Sequence, residues 1–194
     1  VFDKTGTLTK AQPTVAKVVS FNGGSEDELL KIAACLEEHF PHSMARAVVE
    51  AAKNRGIEHS EMHSKVEYIV AHGIASAIGD KRVVIGSAHF VFEDEKASIP
   101  EDKKTLYEEL PLEYSHLYLA IDGVLAAVIC IEDPVRDEAV KVIRQLKAAG
   151  ISKVVMMTGD SERTAAAIAK KVGVDEYYSE VLPQDKAGFV EKEK

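Results

Sequence analysis

From Asp133-Pro134 onward the sequence alternates helix and strand patterns, and this alternation constrains the fold more than any other feature. Val135, Ala139, Val140, Ile143 and Leu146 recur at helical spacing as far as Gly150. Val154–Met157 is a short apolar run of strand type, and 162–171 reads as a second helix stopped by Gly173. Tyr177–Val181 is a further strand candidate, and Leu182-Pro183 precedes a last helix. Strands separated by helices pair in parallel, so this half predicts an α/β sheet. Such a sheet needs a first strand, and the candidate is Val1-Phe2, at the other end of the chain. The residues between are then an insertion.

The insertion has a different texture. Val15, Val18, Val19 and Phe21 form a β-rich stretch closed by Asn22-Gly23-Gly24. Ser25 and Glu28 make a capping box, followed by Leu29, Ile32, Ala33 and Leu36 at helical spacing. A second helix is predicted over Ser43–Asn54. Three short strands are predicted over Lys65–Ala71, Ile74–Ile78 and Arg82–Ile85, then a helical stretch at 101–109. His116–Ile121 and Val124–Ile131 flank Asp122-Gly123, a strong hairpin signal. The expected organisation is an α/β domain from residues 1–10 and 132–194, carrying an inserted antiparallel α+β domain over 11–131.

Charge and composition narrow the function classes. There are 32 acidic against 24 basic side chains, a net charge of −8, which argues against a general binder of nucleic acid or anionic membrane. Any phosphate is therefore held by local geometry. Cys35 and Cys130 both lie in apolar runs and make neither a disulfide framework nor a zinc site. The longest apolar run, Val124–Ile131, is far below the roughly 18 residues of a membrane span.

The sharpest chemical signal is Asp3-Lys4-Thr5-Gly6-Thr7-Leu8-Thr9. An Asp at the carboxyl tip of a parallel strand stands where α/β folds bind ligands, and Asp can attack phosphorus to form a covalent intermediate. Gly6 permits a tight turn, and Thr5 and Thr7 offer hydroxyls beside exposed amides suited to a phosphate. A polar turn capped by Asp is the plainer reading of the first four residues alone. Thr158 and Gly159 end a strand and precede a helix, where a hydroxyl and helix-start amides can meet a phosphate; a simple cap is the alternative. Lys186 stands early in a helix, where the dipole disfavours a cation, so it is expected to answer to another charge.

Asp3–Thr9 resembles the signature of P-type ATPases, cation pumps of the haloacid dehalogenase superfamily. Asp133-Pro134-Val135-Arg136, Thr158-Gly159-Asp160 and Leu182-Pro183-Gln184-Asp185-Lys186 resemble further motifs of that family, in its order. The resemblance implies a haloacid-dehalogenase-like, Rossmann-type phosphorylation domain with a nucleotide-binding insert. It implies Asp3 as phosphoryl acceptor and Lys186 as the cation neutralising the aspartyl phosphate. Thr158, Gly159 and Asp160 then hold the phosphoryl group, and magnesium is coordinated by Asp3 and the Thr5 carbonyl. Phosphatases of the superfamily carry an Asp two residues after the nucleophile; Thr5 cannot serve as such a base near neutral pH, so the phosphoenzyme should last longer.

The insert resembles that of heavy-metal-transporting (type IB) members, which open a helix with His-Pro-x-Ala and carry a Gly-x-Gly turn. Matching Ala45 and Ala47 places His42 at the adenine-contacting His, with Ser43 where Pro is usual; matching Glu-His instead selects Glu38 and His39. The Gly-x-Gly turn corresponds to Ala71-His72-Gly73, which lacks the first Gly, and Gly86-Ser87 stands where Gly-Asn is usual. The resemblance implies ATP as ligand and transmembrane and actuator domains of the same parent polypeptide as partners. It places the transported heavy-metal cation outside this segment and the chain itself on the cytoplasmic side of a membrane. The family's acidic Gly-Asp-Gly-x-Asn-Asp string is not found here, so the phosphorylation domain is expected to be incomplete and the segment alone nearly inactive. His59 and His63, four apart with Glu58 and Glu61, read as solvated loop residues and not as a metal site.

Overall fold

The computed structural model describes residues 1–38, 42–58, 67–69, 73–182 and 184–192. In chain order the strands are β1 (Phe2–Asp3), β2 (Thr14–Ser20), β3 (Glu67–Ile69), β4 (Gly73–Ile78), β5 (Lys81–Gly86), β6 (Ser115–Ile121), β7 (Val124–Glu132), β8 (Val155–Met157) and β9 (Glu176–Tyr178). The helices are α1 (Glu26–Glu37), α2 (Ser43–Asn54), α3 (Lys104–Glu108), α4 (Ala139–Ala148), α5 (Glu162–Val172) and α6 (Lys186–Lys192). The chain divides into two compact units. One comprises Val1–Gln12, Leu112–Ser115 and Asp133–Lys194, the other Pro13–Pro111 and His116–Glu132.

The first unit holds a parallel sheet in the order β1-β8-β9. Phe2 lies opposite Met156 and Asp3 opposite Met157, so the first residues of the chain do join the sheet built by its last third. Leu8, Ala139, Ile143, Val154, Met156, Ala165, Ile168, Ala169 and Val172 form its core, with Phe2 and Val135 packed against it. Apolar burial of this kind stabilises by about 25 cal/mol per Å², and here it joins residues from opposite ends of the sequence. Gly173 ends α5 in the left-handed conformation (φ 82°), as its position after the last apolar residue predicts.

The second unit is a six-stranded sheet in the order β2-β7-β6-β5-β4-β3. Its β2–β7, β3–β4, β4–β5 and β5–β6 pairs are antiparallel. Alternate residues of β7, β6 and β5 meet Leu29, Leu30, Ala33 and Leu36 of α1 and Val48 and Ala52 of α2 in one core. The capping box at Ser25 forms in full: Ser25 Oγ accepts from the Glu28 amide at 3.2 Å, and Glu28 Oε2 from the Ser25 amide at 3.4 Å.

Three local expectations change. The helix predicted from Val135 begins at Ala139, because 133–136 is held extended by the residues before Ala11. The Lys10 amide donates to Pro134 O, the Arg136 amide donates to Leu8 O, and Thr9 bridges Val135. The stretch at 101–109 is a single tight turn over Glu101–Lys103 leading into a five-residue helix. Of the strand predicted over Lys65–Ala71, the described residues are Glu67–Ile69; the rest of that expectation lies outside them.

Candidate functional site

Asp3 is the last residue of β1, and Thr158 follows directly on Met157, its neighbour across the parallel sheet. A carboxylate and a hydroxyl thus stand at the carboxyl edges of adjacent strands, where α/β sheets bind ligands. The chain turns sharply after Asp3. Thr5 (φ −72°, ψ 120°) and Gly6 (φ 81°, ψ −11°) have the dihedrals of the two central residues of a type II turn, whose second position requires positive φ and so favours glycine. Thr5 and Thr7 are exposed, whereas Thr9 is fully buried and closes the loop. The Thr9 amide donates to Lys4 O at 3.0 Å, its hydroxyl donates to Asp133 Oδ2 at 2.5 Å, and that hydroxyl accepts from the Gly6 amide at 3.1 Å. Arg136 adds two bonds to loop carbonyls, from Nε to Thr9 O at 3.0 Å and from a terminal nitrogen to Gly6 O at 3.2 Å. Asp133 and Arg136 therefore brace the loop that follows Asp3.

Lys186, the first residue of α6, donates from Nζ to Asp3 Oδ1 at 2.7 Å, with both side chains roughly one-third exposed. Its expected answer to another charge is Asp3. Lys4, adjacent to Asp3 in sequence, is buried and directed elsewhere: its ammonium lies 2.5 Å from Asp160 Oδ2 and 3.1 Å from Ser115 Oγ. Ser115 in turn donates to Asp160 Oδ1 at 2.9 Å, and Thr158 Oγ1 donates to Asp160 Oδ2 at 3.0 Å. The Thr158 amide already donates to Tyr178 O, so the group this residue can offer an anion is its hydroxyl. A Cβ on Gly159 would lie 3.6 Å from Val181 O, ordinary contact, so steric crowding does not require glycine there.

At the insert, His42 caps α2: its Nδ1 accepts from the Ala45 amide at 3.2 Å. That bond fixes Nδ1 as the unprotonated nitrogen and leaves the ring proton on Nε2. His42 Nε2 lies 3.1 Å from Glu37 Oε2, and Glu37 is 2% exposed. The two groups are close but out of line, and no hydrogen bond reaches that oxygen among the described residues. Glu38 is an exposed C-cap residue of α1; Glu37 is the carboxylate beside His42. The alternative His39, and Ala71, lie outside the described residues.

Gly73 opens β4 opposite Gly86. A Cβ on it would fall 2.2 Å from Phe90 Cδ1 and 2.6 Å from Ile85 O. The close approach that requires glycine is therefore the chain's own aromatic ring. Phe90 is itself held by Ser87, whose Oγ accepts from the Phe90 amide at 3.2 Å, a capping task for which Asn would also serve.

Sequence reasoning missed three polar residues of these sites: Thr9, Glu37 and Ser115. Thr9 ends the Asp3–Thr9 string, and nothing in the string marks it as the residue that closes the loop. The signal for Glu37 was its place on the buried stripe of α1, an acid in register with Ala33 and Leu30. Ser115 gives no local signal, since its partners are 45 and 111 residues away. Among the described residues no helix is long and apolar enough to cross a membrane. No group of three or more His, Cys, Asp or Glu there could by itself hold a metal ion.

Residues 1–194 match the family model of haloacid dehalogenase-like hydrolases. A zinc-transporting ATPase of Synechocystis sp. is 36% identical over 192 residues, covering 99% of this chain and 25% of its own length. A copper-transporting ATPase of Rhizobium meliloti is 37% identical over 194 residues, covering 98% and 23%. The chain thus spans about a quarter of the length of the curated relatives it matches. Among solved structures, the catalytic domain of the CPx-ATPase CopB-B superposes with a TM-score of 0.72 at 27% identity, over 98% of this chain and 64% of that one. An aspartate loop at a parallel strand end, a lysine bonded to that aspartate, and relatives of this kind lead to one conclusion: the chain belongs to the haloacid dehalogenase-like hydrolases, and its curated relatives are metal-transporting P-type ATPases.

Proposed function

We propose that this chain is the nucleotide-binding and phosphorylation part of a heavy-metal-exporting P-type ATPase, with residues 1–10 and 132–194 as the phosphorylation domain and 11–131 as the nucleotide-binding domain. The observation that carries the reading is the Lys186 Nζ to Asp3 Oδ1 bond of 2.7 Å, which joins the two ends of the sequence beside Thr158. Asp3 attacks the γ-phosphorus of ATP in line, an oxygen–phosphorus bond forms, the bond to the bridging oxygen breaks, and ADP leaves with the electron pair. Lys186 offsets charge on the acceptor and on the phosphoryl group, and Thr158, Gly159 and Thr7 donate to its oxygens. The Asp160 amide donates to the Thr158 hydroxyl at 3.1 Å and holds it in place.

The Asp3 carboxylate and the Thr5 carbonyl are hard oxygen donors, and one or two carboxylates with substrate phosphate is the usual protein share of a magnesium site. Magnesium bound there supplies neutralisation of the transferring charge. Thr5, lacking an ionisable group, leaves the aspartyl phosphate without a built-in base two residues away.

At the insert, His42 and the buried Glu37 receive the adenine end of ATP. Among the described residues no hydrogen bond reaches Glu37 Oε2, and the adenine amino group is a donor that suits it beside His42. Gly73 contributes through its backbone, with Phe90 on its Cα side. The relatives' names carry zinc and copper, so the cargo is a heavy-metal cation. Transmembrane and actuator domains of the parent polypeptide move it, with this part on the cytoplasmic side.

Labelling the full-length protein with γ-³²P-ATP tests the reading. The expected result is an acid-stable, hydroxylamine-sensitive label that Asp3→Asn abolishes. A label surviving Asp3→Asn overturns it.

A further inference from the structure

Asp160 draws three side-chain donors, divided unevenly between its two oxygens. Its Oδ2 receives the Lys4 ammonium at 2.5 Å and the Thr158 hydroxyl at 3.0 Å; its Oδ1 receives the Ser115 hydroxyl at 2.9 Å. Ser115 also accepts from Lys4 Nζ at 3.1 Å, so Lys4, Ser115 and Asp160 close a ring of three buried groups. Lys4 and Asp160 side chains are 5% and 13% exposed, and Ser115 is 6% exposed.

Thr158 is in a different position from the other donors. Its hydroxyl accepts from the Asp160 amide at 3.1 Å and spends its one proton on Asp160 Oδ2. A hydroxyl has a single proton to donate, so Thr158 can serve a phosphoryl oxygen only by releasing Asp160. Releasing a buried carboxylate is cheap only if other donors keep it satisfied. Lys4 and Ser115 are those donors. Ser115 comes from Leu112–Ser115, a segment anchored to the first unit by a second bond, from Thr164 Oγ1 to Tyr114 O at 2.9 Å.

We infer that Ser115 is a positioning residue for phosphoryl transfer: by holding Asp160 together with Lys4, it frees the Thr158 hydroxyl to turn from Asp160 to a phosphoryl oxygen. The inference rests on the phosphoryl-transfer reading above. Ser115 itself touches neither the nucleophile nor the phosphate. Its bonding to Lys4 also keeps that ammonium committed to Asp160, so that the cation paired with Asp3 is Lys186.

The test is the rate of phosphoenzyme formation from γ-³²P-ATP in the full-length protein, at saturating and at limiting ATP. Ser115→Ala is expected to lower the saturating rate about tenfold, the scale of one impaired charge-stabilising donor, with the KM for ATP within about twofold of wild type. Ser115→Thr, which keeps the hydroxyl, restores the rate to within about threefold. Because Ser115 acts through Thr158, adding Ser115→Ala to Thr158→Ala costs nothing further. Where Ser115→Ala does not fold, Ser115→Cys, close in size and weak as a donor, takes its place in the same cycle. A wild-type rate in the Ser115 variant, or a full additive loss on top of Thr158→Ala, overturns the inference and leaves the phosphoryl-transfer reading standing. A wild-type protein that takes no label brings down that reading, and this inference with it.

Discussion

The loop after Asp3 and the turn before α2 are wired in opposite ways. Around Asp3, the groups of the loop are tied to residues far along the chain: Lys4 to Ser115 and Asp160, Thr9 to Asp133, Arg136 to Gly6 and Thr9, Lys186 to Asp3. Around His42, among the described residues, there is a local cap bond from the Ala45 amide and a buried carboxylate, Glu37, whose Oε2 lies 3.1 Å from the ring and takes no hydrogen bond; Asp133 Oδ1, beside the first loop, is likewise buried without one. A site that must present a nucleophile at a set angle gains from many fixed bonds, since misplacement by an ångström is costly in rate. A site that receives a ligand gains from polar capacity left over, because the ligand then satisfies what the protein does not. On the proposed function, the acting loop is braced by long-range bonds, whereas His42 is held by a local cap.

The most severe break of the comparison is at the nucleophile. Asp3→Asn should reduce phosphoenzyme formation by more than about a thousandfold, since the amide cannot become the acyl phosphate. Nucleotide affinity and circular dichroism should change little, because Asp3 and Lys186 are both partly exposed and a pair of this kind adds about 1 kcal/mol or less to stability. An equal loss of ATP affinity would show that the two sites are not separable in this way.

Gly73→Ala probes the other side. The new methyl group would meet the Phe90 ring and Ile85 O well inside contact distance, and Ile85 O is backbone that cannot swing away. We expect a loss of about 2 kcal/mol or more from overpacking, read as a lowered denaturation midpoint, with a fall in nucleotide binding that follows the loss of folded protein. Phe90→Leu combined with Gly73→Ala should recover part of that loss. If Gly73→Ala weakens nucleotide binding at unchanged stability, its glycine answers to the ligand and not to Phe90.

How much of this was legible differs between the same two regions. The Asp3 loop could be read because its signal is contiguous: seven residues in which Gly6 has to turn and Asp3 has to end a strand. The pairing of Phe2 and Asp3 with Met156 and Met157 followed from the need for a first parallel strand. The start of α4 was misplaced because apolar spacing at Val135 imitates a helix, while the residues there are paired with Leu8, Thr9 and Lys10. Glu38 shows itself in sequence by its adjacency to His39, whereas the place of Glu37 beside His42 depends on burial of a helix face, and so on what packs against it. Ser115 was beyond reach: a serine at the start of a strand carries no local mark of a bond to Lys4.

His42 allows the cap and the ligand to be separated. His42→Ala removes both, and should cost about 1 kcal/mol of stability together with ATP affinity. His42→Asn keeps a side-chain acceptor for the Ala45 amide and should retain most of the stability while still losing affinity, measured by calorimetric titration of ATP. Equal affinities for the Asn variant and wild type would mean that the ring matters only as a cap.

The smallest effect concerns a third set of bonds, in which β9 and the residues on either side of it are fastened to α5 and α4 through surface carboxylates. Glu162 accepts from Ser179 Oγ and Tyr177 Oη, each at 2.6 Å, and these bonds, the one from Ser179 first, hold its carboxyl below the ordinary value. The same Glu162 bond raises the Tyr177 hydroxyl above its ordinary value. Asp175, bonded by Lys147 Nζ at 2.6 Å and by the Val154 amide at 2.8 Å, is lowered, chiefly by the lysine. For the two carboxyls the folded state binds fewer protons than the unfolded chain, so their contribution is present above pH about 4.5 and fades as acid protonates the folded form. For Tyr177 the folded state holds its proton longer, so its contribution is complete below pH about 10 and is lost as pH rises through the raised value. Glu162→Gln combined with Asp175→Asn should flatten the acid limb of a denaturation-midpoint profile, with the midpoint near pH 7 shifted only slightly because both carboxylates are exposed, and Tyr177→Phe, which keeps the half-buried ring, should flatten the alkaline limb. Salt should mimic the Asp175 part of the acid effect, where a charged lysine is the partner, more than the Glu162 part, whose partners are neutral hydroxyls; the reverse order would mean that charge and not hydrogen bonding fastens β9 to α5.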